Sequence, residues 1–209
     1  MRSAGGPPAV PPAAGRRPSR VERAAAEPAA EQPARPPALR EELIDVLTPT
    51  GEQTGIRKPK NEIHRDGDWH RAAHIWIIAT DGRFLLQRRS LRKENNPGLW
   101  DVSAAGHLSA GESATEAAVR ETFEELGLKL SPDDLEFVQT LPQVSILNGN
   151  TYFDNEFHEI FIVRRDIDVA SLNLDLDEVA EVKWVSDLRP DDTFVPHGEE
   201  YDLVSRFSR

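Results

Sequence analysis

The sequence predicts an α/β or α+β sandwich, and three observations predict it. Short apolar runs of strand length alternate with turn signals over residues 39–209. One stretch, Ser113 to Leu126, instead repeats its apolar residues at helical spacing and has both ends marked. That part of the chain has the size of one ordinary domain and shows no internal repeat.

Residues 1–38 stand apart. Met1 to Pro37 holds nine of the sixteen prolines and no aromatic residue. Such a segment buries too little apolar surface to offset its ordering entropy, so it is expected to be a disordered tail. Leu43 to Leu47 is an apolar run closed by Thr48-Pro49-Thr50-Gly51, a turn signal. His74 to Ala79 reads as a buried strand, and Asp81-Gly82 turns it into Arg83 to Arg88. Asn95 to Gly98 is a loop, and Trp100 to Ala105 is extended. After the helix, strands are expected at Leu135 to Leu141, Thr151 to Val163 and Glu181 to Val185. A last helix covers Glu199 to Phe207.

Composition narrows the function. The formal net charge is −11. Removing the tail's six Arg and three Glu leaves 19 basic and 33 acidic residues, a net of −14 for the domain. Phosphate polymers and anionic membranes are repelled by such a field, so nucleic acid and membrane are not expected partners. A small phosphorylated ligand remains compatible, because metal ions and a few arginines reverse the field locally. There is no cysteine, hence no disulfide, zinc–thiolate site or thiol nucleophile. No apolar run has membrane-spanning length, and the N-terminus lacks an apolar signal core. A cytoplasmic location is expected. The alternative is a plastid or mitochondrion reached through the arginine-bearing tail.

The helix carries an excess of carboxylates. Ser113 with Glu116 forms a capping-box pattern, and Gly127 stands where a left-handed C-terminal residue is wanted. Ala118, Val119, Thr122, Phe123 and Leu126 are expected to form the core-facing stripe. Glu121, Glu124 and Glu125 fall at i, i+3 and i+4, on one side of the helix near its C-terminal end. Like charges at that spacing cost ~0.2–0.5 kcal/mol per pair, and the helix dipole disfavours anions there. Arg120 relieves part of this cost. A hard divalent cation would relieve more, because such ions prefer carboxylate oxygen. The alternative is a solvated acidic face. It becomes untenable once the whole pattern is counted: Gly106-x5-Glu112-x7-Arg120-Glu121-x-x-Glu124-Glu125-x-Gly127 has every fixed position filled.

That stretch, Gly106 to Leu128, resembles the Nudix box, the signature of the Nudix hydrolase superfamily. Thr122 departs from it, standing where the family has an aliphatic residue. The resemblance implies an α/β/α sandwich with a mixed sheet. It also implies Mg²⁺ or Mn²⁺ held by Glu121, Glu124 and Glu125, with Arg120 and Glu112 fixing loop to helix. The catalytic set so implied is Glu121, Glu124 and Arg120, serving water attack on a diphosphate phosphorus.

Asp45 to Glu52, Glu62 to His74 and Pro97 to His107 resemble the isopentenyl-diphosphate isomerase-like branch of that superfamily. The isomerase binds a further divalent metal through histidines and carboxylates. His64, His70, His107, Asp154 and Glu156 fall near those positions, and such a set suits Zn²⁺ or Mn²⁺. The isomerase also needs a cysteine just before the box, where this chain reads Ser103-Ala104-Ala105-Gly106. The expected activity is therefore hydrolysis of an isoprenoid diphosphate or a nucleoside diphosphate derivative. The alternatives are isomerisation and a sensing domain without turnover. Arg88, Arg89 and Lys93 are the candidate diphosphate contacts, with strand alternation sending one of the two arginines inward. Trp100 is a candidate cover for an apolar substrate group. His74, inside an apolar strand, is expected to be structural, and so are His158 and His197, which carry no pattern.

Overall fold

The computed structural model describes residues 42–208; the expected tail lies outside them. Nine strands and three helices follow one another: β1 (Leu43–Leu47), β2 (Gln53–Pro59), α1 (Lys60–Asp66), β3 (Trp69–Ile78), β4 (Phe84–Arg89), β5 (Trp100–Asp101), β6 (Ala104–His107), α2 (Ala114–Leu126), β7 (Glu136–Leu147), β8 (Tyr152–Arg164), β9 (Val179–Val185) and α3 (Glu199–Ser205).

The sheet is mixed. Strand β3 pairs in parallel with β8 along its whole length, from Trp69–Asn155 to Ile78–Arg164. It is antiparallel to β6 over Ala72–His107 to Ile75–Ala104. Strands β4 and β9 pair antiparallel, as do β7 and β8. From Ala72 to Ile78 every residue of β3 is buried, which marks a strand covered on both faces. Alternation then sorts its side chains. Ala73, Ile75 and Ile77 pack with Phe161, Val163 and the α2 residues Ala117, Ala118 and Leu126. Trp76 and Ile78 pack with Ile160, Ile162 and the α3 residues Tyr201 and Val204. Helix layers thus lie on opposite faces of the sheet, and the fold is an α/β/α sandwich.

Several elements differ from the sequence expectation. Strand β2 and helix α1 have no counterpart in that expectation. The former is exposed almost throughout and exists through backbone pairing with β1, so it has no apolar period. The latter is a seven-residue helix of about two turns, closed by Gly67 in the left-handed region (φ +71°). Strand β3 starts five residues early because polar His70 and Arg71 interrupt its apolar run. The extended stretch Trp100 to Ala105 is split into β5 and the start of β6. Strand β7 runs on through Pro142 to Leu147; among the described residues it pairs with β8 alone, and an edge strand tolerates proline. The α2 stripe is also corrected. Phe123 is 47% exposed, and Glu125 takes the inward position beside Thr122 and Leu126.

Candidate active site

Helix α2 begins as its sequence requires. The Ser113 hydroxyl accepts from the Glu116 amide at 3.3 Å, and the Glu116 carboxylate accepts from the Ser113 amide at 2.9 Å. Gly127 ends the helix at φ +67°. Thr122, buried, donates its hydroxyl to the Ala118 carbonyl at 2.7 Å, which satisfies the one polar atom its departure introduces.

Arg120 ties the preceding loop to the helix. It grips Glu112 with two bonds of 2.8 Å and donates to the His107 carbonyl at 3.0 Å. Glu112 in turn accepts from the Ser109 amide at 2.8 Å. The remaining Arg120 nitrogen reaches Glu121 at 2.6 Å and Glu124 at 3.1 Å. Glu125 is buried behind them, its Oε2 accepting from Gln87 at 2.9 Å and from the Ala105 amide at 3.1 Å. The three glutamates therefore do not share one solvated side. The Glu124 side chain is 57% exposed and that of Glu121 only 13%. Burial pushes Glu121 up to about 7 and Glu125 up to about 8. The loop comes within contact of Glu121 at Gly106, where an added Cβ would lie 2.0 Å from the Glu121 carboxyl carbon.

The candidate substrate contacts are already engaged. Arg88 faces outward, bonded to the Gly98 carbonyl and Glu181 at 2.9 Å each. Arg89 turns inward to buried Asp101 at 2.9 Å, as alternation requires. Lys93 pairs with Glu178, and its charge also reaches Glu125. Trp100 carries the Lys183 ammonium 3.6 Å above its ring and Arg88 at 5.9 Å.

On the opposite face, His64, His70, His107, Asp154 and Glu156 each offer a ligand atom within 4.8 Å of the others. Residues paired across a sheet share a face, so the β3–β8 register sets His70 beside Glu156 and β6 adds His107 opposite Ala72. His64 Nδ1 lies 2.7 Å from the Lys60 carbonyl, and His70 Nδ1 lies 3.0 Å from the Asp68 carbonyl. Those carbonyls keep a proton on each Nδ1 and turn both Nε2 atoms toward the carboxylates; against the pull of burial, Glu156 raises His70 above its ordinary value. Both Nε2 atoms and Asp154 Oδ1 are buried without a hydrogen bond, although His64 Nε2 and Asp154 Oδ1 are only 3.2 Å apart. Glu156 Oε1 lies 2.9 Å from His107 and 3.2 Å from His70. Burial holds His107 down at about 3, as a neutral imidazole.

A further cluster joins three histidines expected to be structural to a residue outside the expected sites: His74, His158, His197 and Glu200, all buried. The available signal was period two. His74 follows His70 by four residues and His158 follows Glu156 by two, so each pair shares a face of its strand.

The NUDIX domain model matches residues 68–195. The chain belongs to the Nudix family. It is similar to "Nudix hydrolase 3" of Arabidopsis thaliana, at 44% identity over 150 residues, which is 70% of this chain and 19% of that protein. The chain thus spans about a fifth of that relative's length. It is also similar to an "Isopentenyl-diphosphate Delta-isomerase" of Cutibacterium acnes, at 33% identity over 69% of this chain and 74% of that one. These matches place it with the isomerase-like Nudix branch. The crystal structure of DR0079 from Deinococcus radiodurans has a similar fold, with TM-score 0.54 and 20% identity over 69% of this chain and 83% of that one. Among the described residues, no helix is long and apolar enough to cross a membrane.

Proposed function

We propose that this Nudix protein hydrolyses a diphosphate-containing metabolite, an isoprenoid diphosphate or a nucleoside diphosphate derivative, with Glu121, Glu124 and Glu125 as ligands of Mg²⁺ or Mn²⁺. The observation that carries this reading is the close approach of Gly106 to the Glu121 carboxylate, beside buried Glu125, with Arg120 strapping loop to helix. Burial raises both carboxylates, so their charge is under-compensated by the protein, and hard oxygen donors of this kind suit a hard cation. Such an ion neutralises diphosphate charge and acidifies water. Glu121 accepts a proton from the attacking water. The water oxygen bonds to phosphorus, the bridging P–O bond breaks, and the leaving phosphate departs with its electron pair. Arg120 holds Glu121 and Glu124 in place. Lys93, whose charge reaches Glu125, supplies positive charge for the diphosphate; Arg88 and Trp100 contribute by releasing Glu181 and Lys183, while Arg89 holds Asp101.

A second divalent ion is proposed at His64, His70, His107, Asp154 and Glu156. The two orphaned imidazole nitrogens and the orphaned carboxylate oxygen support it, because buried polar atoms without a partner cost ~1–3 kcal/mol each.

Phosphate release across a panel of isoprenoid and nucleoside diphosphates, with Mg²⁺ and Mn²⁺ compared, tests the hydrolase. Glu121→Gln and Glu125→Gln should each lower turnover by ~10²–10⁴-fold; wild-type rates in both variants overturn it. Isomerisation is the second reading, favoured by the histidine cluster. It lacks a thiol, and the Ser103 hydroxyl is a buried strut, donating to the Leu85 carbonyl at 2.6 Å and accepting from the Ile77 amide at 2.8 Å. Formation of the allylic isomer from isopentenyl diphosphate would establish it instead.

A further inference from the structure

The cluster of His74 (β3), His158 (β8), His197 and Glu200 (α3) has no part in the reading above. Each residue offers one ligand atom within 4.8 Å of the other three. The rings of His74 and His158 stack at 3.8 Å, and the ring of His197 stands 4.8 Å from that of His74. The most exposed of the four, His197, is only 9% accessible.

Three of the four residues are anchored from outside the cluster. His158 Nε2 lies 3.2 Å from Glu156 Oε2, and His197 Nε2 lies 2.6 Å from Asp101 Oδ1. Trp76 donates its indole N–H to Glu200 Oε1 at 2.7 Å. A metal-binding histidine gives its far N–H to a carboxylate, which fixes the tautomer and aims the near nitrogen; two of these three histidines are held in that way. The inward atoms already converge, since His74 Nδ1 and His158 Nδ1 each lie 3.0 Å from Glu200 Oε2. Ligands at ~2.0–2.1 Å from a tetrahedral zinc stand about 3.3 Å apart, so the widest separation needs to close by roughly 1.5 Å. Charge also balances: Glu200, Glu156 and Asp101 carry three negative charges, Arg89 on Asp101 cancels one, and a divalent cation takes up the other two.

We propose that His74, His158, His197 and Glu200 form a second buried site for a divalent transition cation, zinc by its ligand chemistry. With four protein ligands and no opening it is a structural site that clamps α3 to the sheet. Glu156 serves both centres, Oε1 facing the first cluster and Oε2 fixing His158. Protons in place of the cation would make the same contacts, with His158 doubly protonated between Glu156 and Glu200. Metal content separates the two cases.

The experiment measures zinc retained by the full chain after dialysis against a mild chelator, by elemental analysis. It also reads the visible bands of four-coordinate Co²⁺ after substitution. The His64→Asn/His107→Asn protein, with this cluster intact, should keep one equivalent and show those bands. Glu200→Gln and His197→Gln should each hold one equivalent fewer than wild type. Zero retention by the His64→Asn/His107→Asn protein overturns the proposal, and so does an unchanged count in folded Glu200→Gln and His197→Gln. The first arm decides alone if the second pair misfolds. Failure of the first-cluster reading looks different: His64→Asn/His107→Asn then keeps the wild-type count while Glu200→Gln loses one equivalent.

Discussion

Gly106→Ala isolates the contact on which the hydrolase reading depends. The added methyl would lie 2.0 Å from Glu121 Cδ, 2.1 Å from Oε1 and 2.5 Å from Oε2. Ordinary carbon contacts begin at ~3.5 Å, so the carboxylate must withdraw by more than about 1 Å. Gly106 is not among the glycines with positive φ, so alanine fits its backbone. The three nearest obstructing atoms all belong to the end of one flexible side chain, which can swing away. Stability should therefore change by less than ~1 kcal/mol, aided by the entropy that alanine removes from the unfolded chain. For a domain of this size that is within about 4 °C in melting temperature. Activity should respond far more, because a displacement of ~1 Å in a reacting group costs about 10²-fold. The assay is kcat/KM for phosphate release beside a thermal melt of the same preparation. A folded Gly106→Ala protein within threefold of wild type refutes the reasoning. A fall of ~10 °C or more also refutes it, because the backbone rather than Glu121 would then have yielded.

Glu125→Gln keeps an oxygen for both Gln87 and the Ala105 amide and cannot ionise, so above about pH 8 its melting temperature in EDTA should equal or exceed wild type while turnover is lost; a clear drop in EDTA counts against that account. Burial lifts Glu121 to about 7 and Glu125 to about 8. Between their unfolded values near 4.5 and those values the native state binds more protons, so metal-free stability should fall as pH rises from about 5 to 8. Melts should show that slope in EDTA and a flatter profile with Mg²⁺; a flat EDTA profile excludes it. Asp101→Asn breaks buried pairs with His197 (2.6 Å) and Arg89 (2.9 Å) and should cost ~3–5 kcal/mol by urea unfolding; a loss under ~1 kcal/mol would show that the pairs contribute little. Arg120→Lys loses the two-pronged grip on Glu112, so amide exchange at Ser109 to Glu112 should accelerate and turnover fall at least tenfold; unchanged protection contradicts the strap.

Legibility in the sequence followed the range of the forces involved. The extent of helix α2 is legible because its cap and its C-terminal glycine are local signals. Strand β2 is not, since only pairing with β1 sustains it. The inward turn of Glu125 was hidden because its partners, Gln87 and the Ala105 amide, come from the sheet beneath. Phe123 reads as core by spacing, yet it lies at the open end of the helix with Lys129 above its ring. The residues of the first histidine cluster were reached through family resemblance. The second is not legible because the parallel pairing of β3 and β8, which sets residues 86 apart along the chain side by side, creates it.

The alternation of β6 carries a consequence for how such a protein can change. Gly106 points to the carboxylate helix and His107 to the imidazoles, so two chemistries back onto each other across the thickness of one backbone. Deleting or inserting a single residue there would exchange the two side chains and disable both centres together. Replacement can tune either centre separately; a length change in this segment cannot.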